Sequence, residues 1–88
     1  MTPEQQNTVN KFKGGASRIN TGPDGFPSPD LGIGLVTEWA RQIVGFCPQG
    51  DPSRRAADAW LKLVTSCEDG TRDPAVAEEW IEALAGLL

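Results

Sequence analysis

The chain of 88 residues has no histidine and no tyrosine. Without histidine there is no Ser–His–acid or Cys–His nucleophile system, and the commonest general base is missing. Zinc sites built on imidazole are excluded as well. Cysteine is scarce: Cys47 and Cys67 are the only two, they are widely separated, and they form no Cys-x-x-Cys pair. A disulfide framework therefore does not hold this domain together. If the helices leading to the two cysteines run antiparallel, the thiols stand at opposite ends of the pair. At 1.5 Å per residue that is about 22 Å, far beyond bridging range. Reduced thiols in a cytoplasmic protein are expected.

Long apolar runs are missing too. None approaches the ~20 residues of a membrane span, and the polar first residues do not form a signal peptide. No membrane partner is expected. Lys13-Gly14-Gly15-Ala16-Ser17 lacks the Lys-then-Ser/Thr order of a phosphate cradle and reads as a helix stop. Asp69-Gly70-Thr71-Arg72-Asp73 lacks the ligand spacing and closing glutamate of a calcium loop. It reads as a helix end followed by the next cap. Neither metal nor cofactor is expected, and enzyme activity is not.

What the chain does contain is punctuation. Thr2-Pro3, Ser28-Pro29, Asp51-Pro52 and Asp73-Pro74 each join a capping residue to a proline. The cap side chain satisfies a free backbone N–H, and proline at the first helical position sacrifices none. The last three pairs open apolar stretches carrying Trp39, Trp60 and Trp80. Their spacing near 20 residues is compatible with a repeat array, but three similar helices sharing a core are the favoured account.

The expected fold is all-α: a small bundle of three main helices, a short N-terminal helix and a long Gly/Pro-rich loop. Residues 3–13 form the short helix, with Gln5 as capping-box partner and only Val9 and Phe12 to dock it. Gly14-Gly15 end it, and residues 14–30 form the loop. Helix 2 begins between Pro29 and Gly34, with Leu35, Trp39 and Ile43 on one face and Val36, Ala40 and Val44 beside them. Helix 3 points Ala56, Trp60, Leu63, Val64 and Cys67 inward. Helix 4 does the same with Ala77, Trp80, Ile81, Leu84 and Leu88. The whole is one domain, residues 1–88, with an N-terminal arm and loop over 1–30 and a three-helix core over 31–88.

The formal charge is -4, unevenly placed. Near the N-terminus Glu4 stands against Lys11, Lys13 and Arg18, whereas acids outnumber bases from Asp51 onward. A net acidic domain is repelled by phosphate backbones, so nucleic acid is an unfavoured partner. Lys11, Phe12, Lys13 and Arg18 nonetheless form a basic–aromatic strip of the kind that touches single strands.

Arg54 and Arg55 break a local rule, standing in a first helical turn that prefers negative charge. Asp51 and Asp58 offset them. Such violations mark functional sites in some proteins, and adjacent arginines make good interface anchors. Glu78, Glu79 and Glu82 form an acidic helix face, suited to a basic partner or simply to solvent.

No motif is specific enough to name a family. By elimination, the expected function is a non-catalytic protein-binding module. It would be an adaptor or an inhibitor that occludes a partner protein, as in phage or toxin systems, acting through Arg54, Arg55, Glu78, Glu79 and Glu82. The alternative is a self-assembling structural protein, because helix 2 and the leucine-rich end (Leu84, Leu87, Leu88) carry apolar surface to spare. Weak nucleic-acid binding through the N-terminal strip comes third.

Overall fold

The computed structural model describes residues 1–28 and 31–88, and its regular structure is entirely α-helical. Four helices follow one another: α1 (Pro3–Arg18), α2 (Leu31–Phe46), α3 (Pro52–Glu68) and α4 (Pro74–Leu87). Each packs chiefly on its neighbour in sequence, α1 on α2, α2 on α3 and α3 on α4. None is long and apolar enough to cross a membrane.

Three of the caps form as the sequence indicates. Thr2 accepts from Gln5 N–H while the Gln5 side chain reaches back to Thr2 N–H, a complete capping box. Asp51 accepts from Ser53 N–H, and Asp73 from Ala75 N–H. The Ser28-Pro29 pair extends outside the described residues.

The largest departure concerns α1. It does not stop at Gly14-Gly15 but runs on to Arg18, giving 16 residues, the same length as α2. The bundle therefore has four helices of comparable length, not three and a short fourth. Val9, Phe12 and Ala16 are buried from α1. The cause lies at Gly15. A Cβ there would stand 2.9 Å from both Trp39 Cζ3 and Val36 Cγ2 of α2. Glycine lets the two helices close, and that packing outweighs a helical propensity cost of about 1 kcal/mol.

Adjacent Gly14 has nothing within 4 Å of its would-be Cβ. The two glycines should consequently respond in opposite directions. Gly14→Ala is expected to raise stability by about 0.5–1 kcal/mol. Gly15→Ala must displace fully buried Val36, and overpacking of about 1–3 kcal/mol should exceed the propensity gain. Urea-denaturation midpoints compared at constant slope would show the split.

Residues 19–28 make a compact loop. Gly25 N–H donates to Gly22 O at 3.0 Å, closing a turn with Pro23 at its second position. Gly22 N–H to Phe26 O, and Ser28 N–H to Asn20 O, zip the loop's two sides together. Gly25 has φ +82, and its would-be Cβ lies 3.1 Å from Ala77 Cβ, so the tip rests directly on α4. Phe26 is driven into the core from this loop. Phe12 and Phe26, both buried, thus tack the N-terminal segment to the bundle.

The centre is aromatic. The Phe12, Trp80 and Trp60 rings meet edge to face in series, with centroids 6.2 Å and 5.1 Å apart. The Trp60 indole N–H donates to the Thr37 hydroxyl at 3.0 Å, and that hydroxyl donates to Ile33 O at 2.7 Å. The buried indole and hydroxyl are thereby both satisfied. Trp39 differs, being only half-buried against the core. Three residues expected inside, Leu35, Ile81 and Leu88, are exposed. Leu35 and Ile81 lie at the edge of an apolar stripe wider than the face their helices bury, and Leu88 lies just past the end of α4. Val64 and Cys67 are half-buried at the margin, and Cys47 and Cys67 are both free thiols.

Candidate functional site

Arg54 and Arg55 leave the first turn of α3 in different roles. Arg54 is only 20% exposed. Its Nη1 donates to the Cys47 carbonyl at 2.9 Å, and its Nε meets Asp58 at 3.2 Å. Cys47 immediately follows α2, where unpaired carbonyls and the negative end of the dipole attract a cation. The local rule that Arg54 breaks in α3 is thus obeyed with respect to α2. This arginine is a clamp between helices, and half of the expected anchor pair is already engaged within the chain.

Arg55 points outward, and its guanidinium reaches Glu82 of α4 at 3.6 Å, both side chains being largely exposed. Such a pair contributes about 0–1 kcal/mol, so a competing partner can displace it cheaply. Between α3 and α4 lies a groove of about 490 Å³. Arg54, Arg55, Asp58 and Lys62 stand along its α3 side and Glu79 along α4. Buried Ala59 and Ala83, with Gly86 beyond them, keep its floor low.

The structure therefore brings Arg54, Arg55, Glu79 and Glu82 together. It sets Glu78 apart, on a second hollow of about 510 Å³ with Ile81, Asp24 and Arg72. Lys62 and Asp58 were not singled out from the sequence as site residues. Their signal was the helical spacing from Arg55 and Arg54, since positions three, four and seven apart share a face.

The N-terminal strip is not assembled as expected. Phe12 is fully buried, so its own ring is not available beside Lys11, Lys13 and Arg18 for a base to stack on. Phe12 is withdrawn from that group of contacts for this reason.

Asp24 and Arg72 form a latch that the sequence did not reveal, because they are far apart in the chain. Asp24 Oδ2 accepts from Arg72 Nε at 2.8 Å, while Oδ1 accepts from Phe26 N–H at 3.1 Å. The Arg72 guanidinium also lies over the Phe26 ring, 5.4 Å from its centroid. Arg72 takes a φ of +44, uncommon for a side-chain-bearing residue. It follows Gly70 (φ +81) in a turn where the Ser66 hydroxyl meets Thr71 Oγ1 and accepts from Asp73 N–H. The strained backbone aims Arg72 at the loop.

The Arg72 bond, aided by Phe26 N–H, holds the Asp24 carboxyl below its ordinary pKa of 3.8. Two bonds from Thr71 lower Asp69 in the same direction. Burial pushes the Cys47 thiol up, away from reactive thiolate. Because the folded pKa of Asp24 lies below the unfolded one, the latch contributes fully above the ordinary value. Its contribution disappears as pH falls through the folded value. Asp24→Asn should reduce stability near neutrality, and the gap from wild type should close below pH 3.8 as the wild type loses the ion pair that the variant never forms. Thermal melts of the two proteins across the acid range would display that convergence.

Among the described residues, no group of three or more His, Cys, Asp or Glu side chains is placed to hold a metal ion. No protein-family model, curated protein or solved structure matches the chain.

Proposed function

We propose that the protein is a non-catalytic, cytoplasmic protein-binding module that engages its partner through the groove between α3 and α4. The observation that carries this reading is the groove's construction. Charged side chains of both signs, Arg55 and Lys62 against Asp58 and Glu79, stand over a floor of alanine and glycine. A low floor admits a partner's helix or extended segment close to the backbone, and the flanking charges fix its register. Arg55 is the anchor, since it is exposed and, among the described residues, paired loosely with Glu82. Occlusion of another protein's site, as by a small inhibitor, is the mode of action this surface suits. The perturbed carboxylates offer little to catalysis, since Asp24 and Asp69 owe their shifts to bonds that hold loops.

The test is capture from native lysate with nuclease present, using the tagged protein and its Arg55→Glu/Lys62→Glu variant. A single protein bound by the first and lost from the second, with helical circular dichroism unchanged, is the expected result. Equal recovery by both baits would overturn the assignment of this groove. Arg54 is left intact because its removal would disturb the α2–α3 junction and confound the readout.

A further inference from the structure

A different face of the molecule carries an inference of its own. Between α1 and α2 is a hollow of about 220 Å³, lined by Gly15, Arg18, Ile19, Leu35, Val36 and Trp39. Gly15 packs tightly on Val36 and Trp39 at its base, and Leu35 at its edge is 59% exposed. Arg18 lines the hollow, and Lys11, seven residues earlier, shares its helical face on α1. Neither Lys11 nor Arg18 has an ion pair among the described residues. On α2, Glu38 is next to Trp39 and is matched by Arg41 at 4.0 Å. The surroundings are therefore net positive on a protein that is net negative.

The outer face of α4 is the complement. Glu78, Ile81, Glu82, Ala85 and Leu88 are spaced as one helical stripe, and all five are exposed. Ile81 is 57% exposed and lies between two glutamates. Arg72, beyond Glu78, is neutralised by Asp24, and Glu82 keeps an open carboxylate oxygen beside its loose contact with Arg55. An apolar side chain framed by acids thus faces away from the bundle, and an apolar hollow framed by bases opens elsewhere on the same chain.

We infer that the α1–α2 hollow receives the outer face of α4 from a second copy of this chain. Ile81 enters beside Leu35 and Trp39, while Glu78 and Glu82 meet Arg18 and Lys11. The contact joins two different surfaces, so it is head-to-tail and builds rings or open chains rather than a two-fold dimer. Both faces are small, which places the association among weak, salt-sensitive ones.

Two substitutions at exposed positions test this without touching the core or the α3–α4 groove. Leu35→Lys blocks the hollow and leaves α4 intact; Ile81→Lys spoils α4 and leaves the hollow intact. In sedimentation or light scattering, wild-type mass should rise above the 9.4 kDa monomer with concentration and fall back when salt is added. Each variant alone should remain monomeric, and an equal mixture of the two should form a dimer and nothing larger. A wild type that stays monomeric across that range would overturn the proposal and leave the hollow to an acidic helix of another protein. A mixture that fails to pair would overturn it equally, even if the wild type associates.

Discussion

Replacing Trp60 with alanine is expected to cost about 3–5 kcal/mol, enough to unfold a large fraction of the protein. A domain of this length has a total stability of roughly 4–13 kcal/mol, at about 0.05–0.15 kcal/mol per residue. Trp60 is the bulkiest of the fully buried side chains. Its removal opens a cavity beside Trp80 and strips Thr37 of its indole donor. Trp60→Phe separates the two effects: it restores most of the ring but not the N–H. Its cost should be much nearer to that of one lost hydrogen bond, about 1 kcal/mol, plus a small packing loss. Denaturation followed by far-ultraviolet circular dichroism would measure both. Equal losses for the two variants would show that the hydrogen bond, not the volume, matters here.

The second large effect belongs to Phe12. Phe12→Ala is expected to cost about 3–5 kcal/mol, because the ring is fully buried and abuts Trp80. The loss should be concentrated in α1. A helix of this length with so few apolar residues is marginal on its own, so undocking should melt it. Circular dichroism would then lose up to α1's share of the helical signal, while α2 to α4 keep theirs. Were the first thirty residues a mobile arm, the same substitution would change almost nothing. The comparison therefore measures directly whether α1 belongs to the cooperative unit.

The sequence disclosed helix starts well and helix ends less well, for a physical reason. A capping side chain and a following proline act within one turn, so Thr2, Asp51 and Asp73 could be read locally. Gly14-Gly15 looked like a stop because glycine lowers helical propensity. Its role was decided by Trp39 and Val36 on another helix, which no local rule can see. The same limit explains Leu35 and Ile81. Periodicity shows that a stripe is apolar but not which edge of it the neighbours will cover.

The candidate site divides along that line as well. Arg55, Glu79 and Glu82 converge as helical spacing and adjacency of α3 and α4 would bring them. Arg54 was legible as an anomaly but not as a clamp, since its partner carbonyl, Cys47, lies on the far side of a loop. The Asp24–Arg72 latch left no local trace, because a single long-range ion pair has no sequence pattern.

One consequence of the neighbour-to-neighbour packing concerns how quickly the structure forms. The principal helix contacts link α1 to α2, α2 to α3 and α3 to α4, so most of the interface is gained by closing short loops. Helical proteins of low contact order reach the native state in microseconds to milliseconds. Among the long-range contacts described, which include the Asp24–Arg72 latch, the Phe12–Trp80 ring contact joins the most distant positions and bears the largest closure entropy. Folding should therefore proceed as rapid pairwise zipping, with the joining of first helix to last as its entropically dearest step.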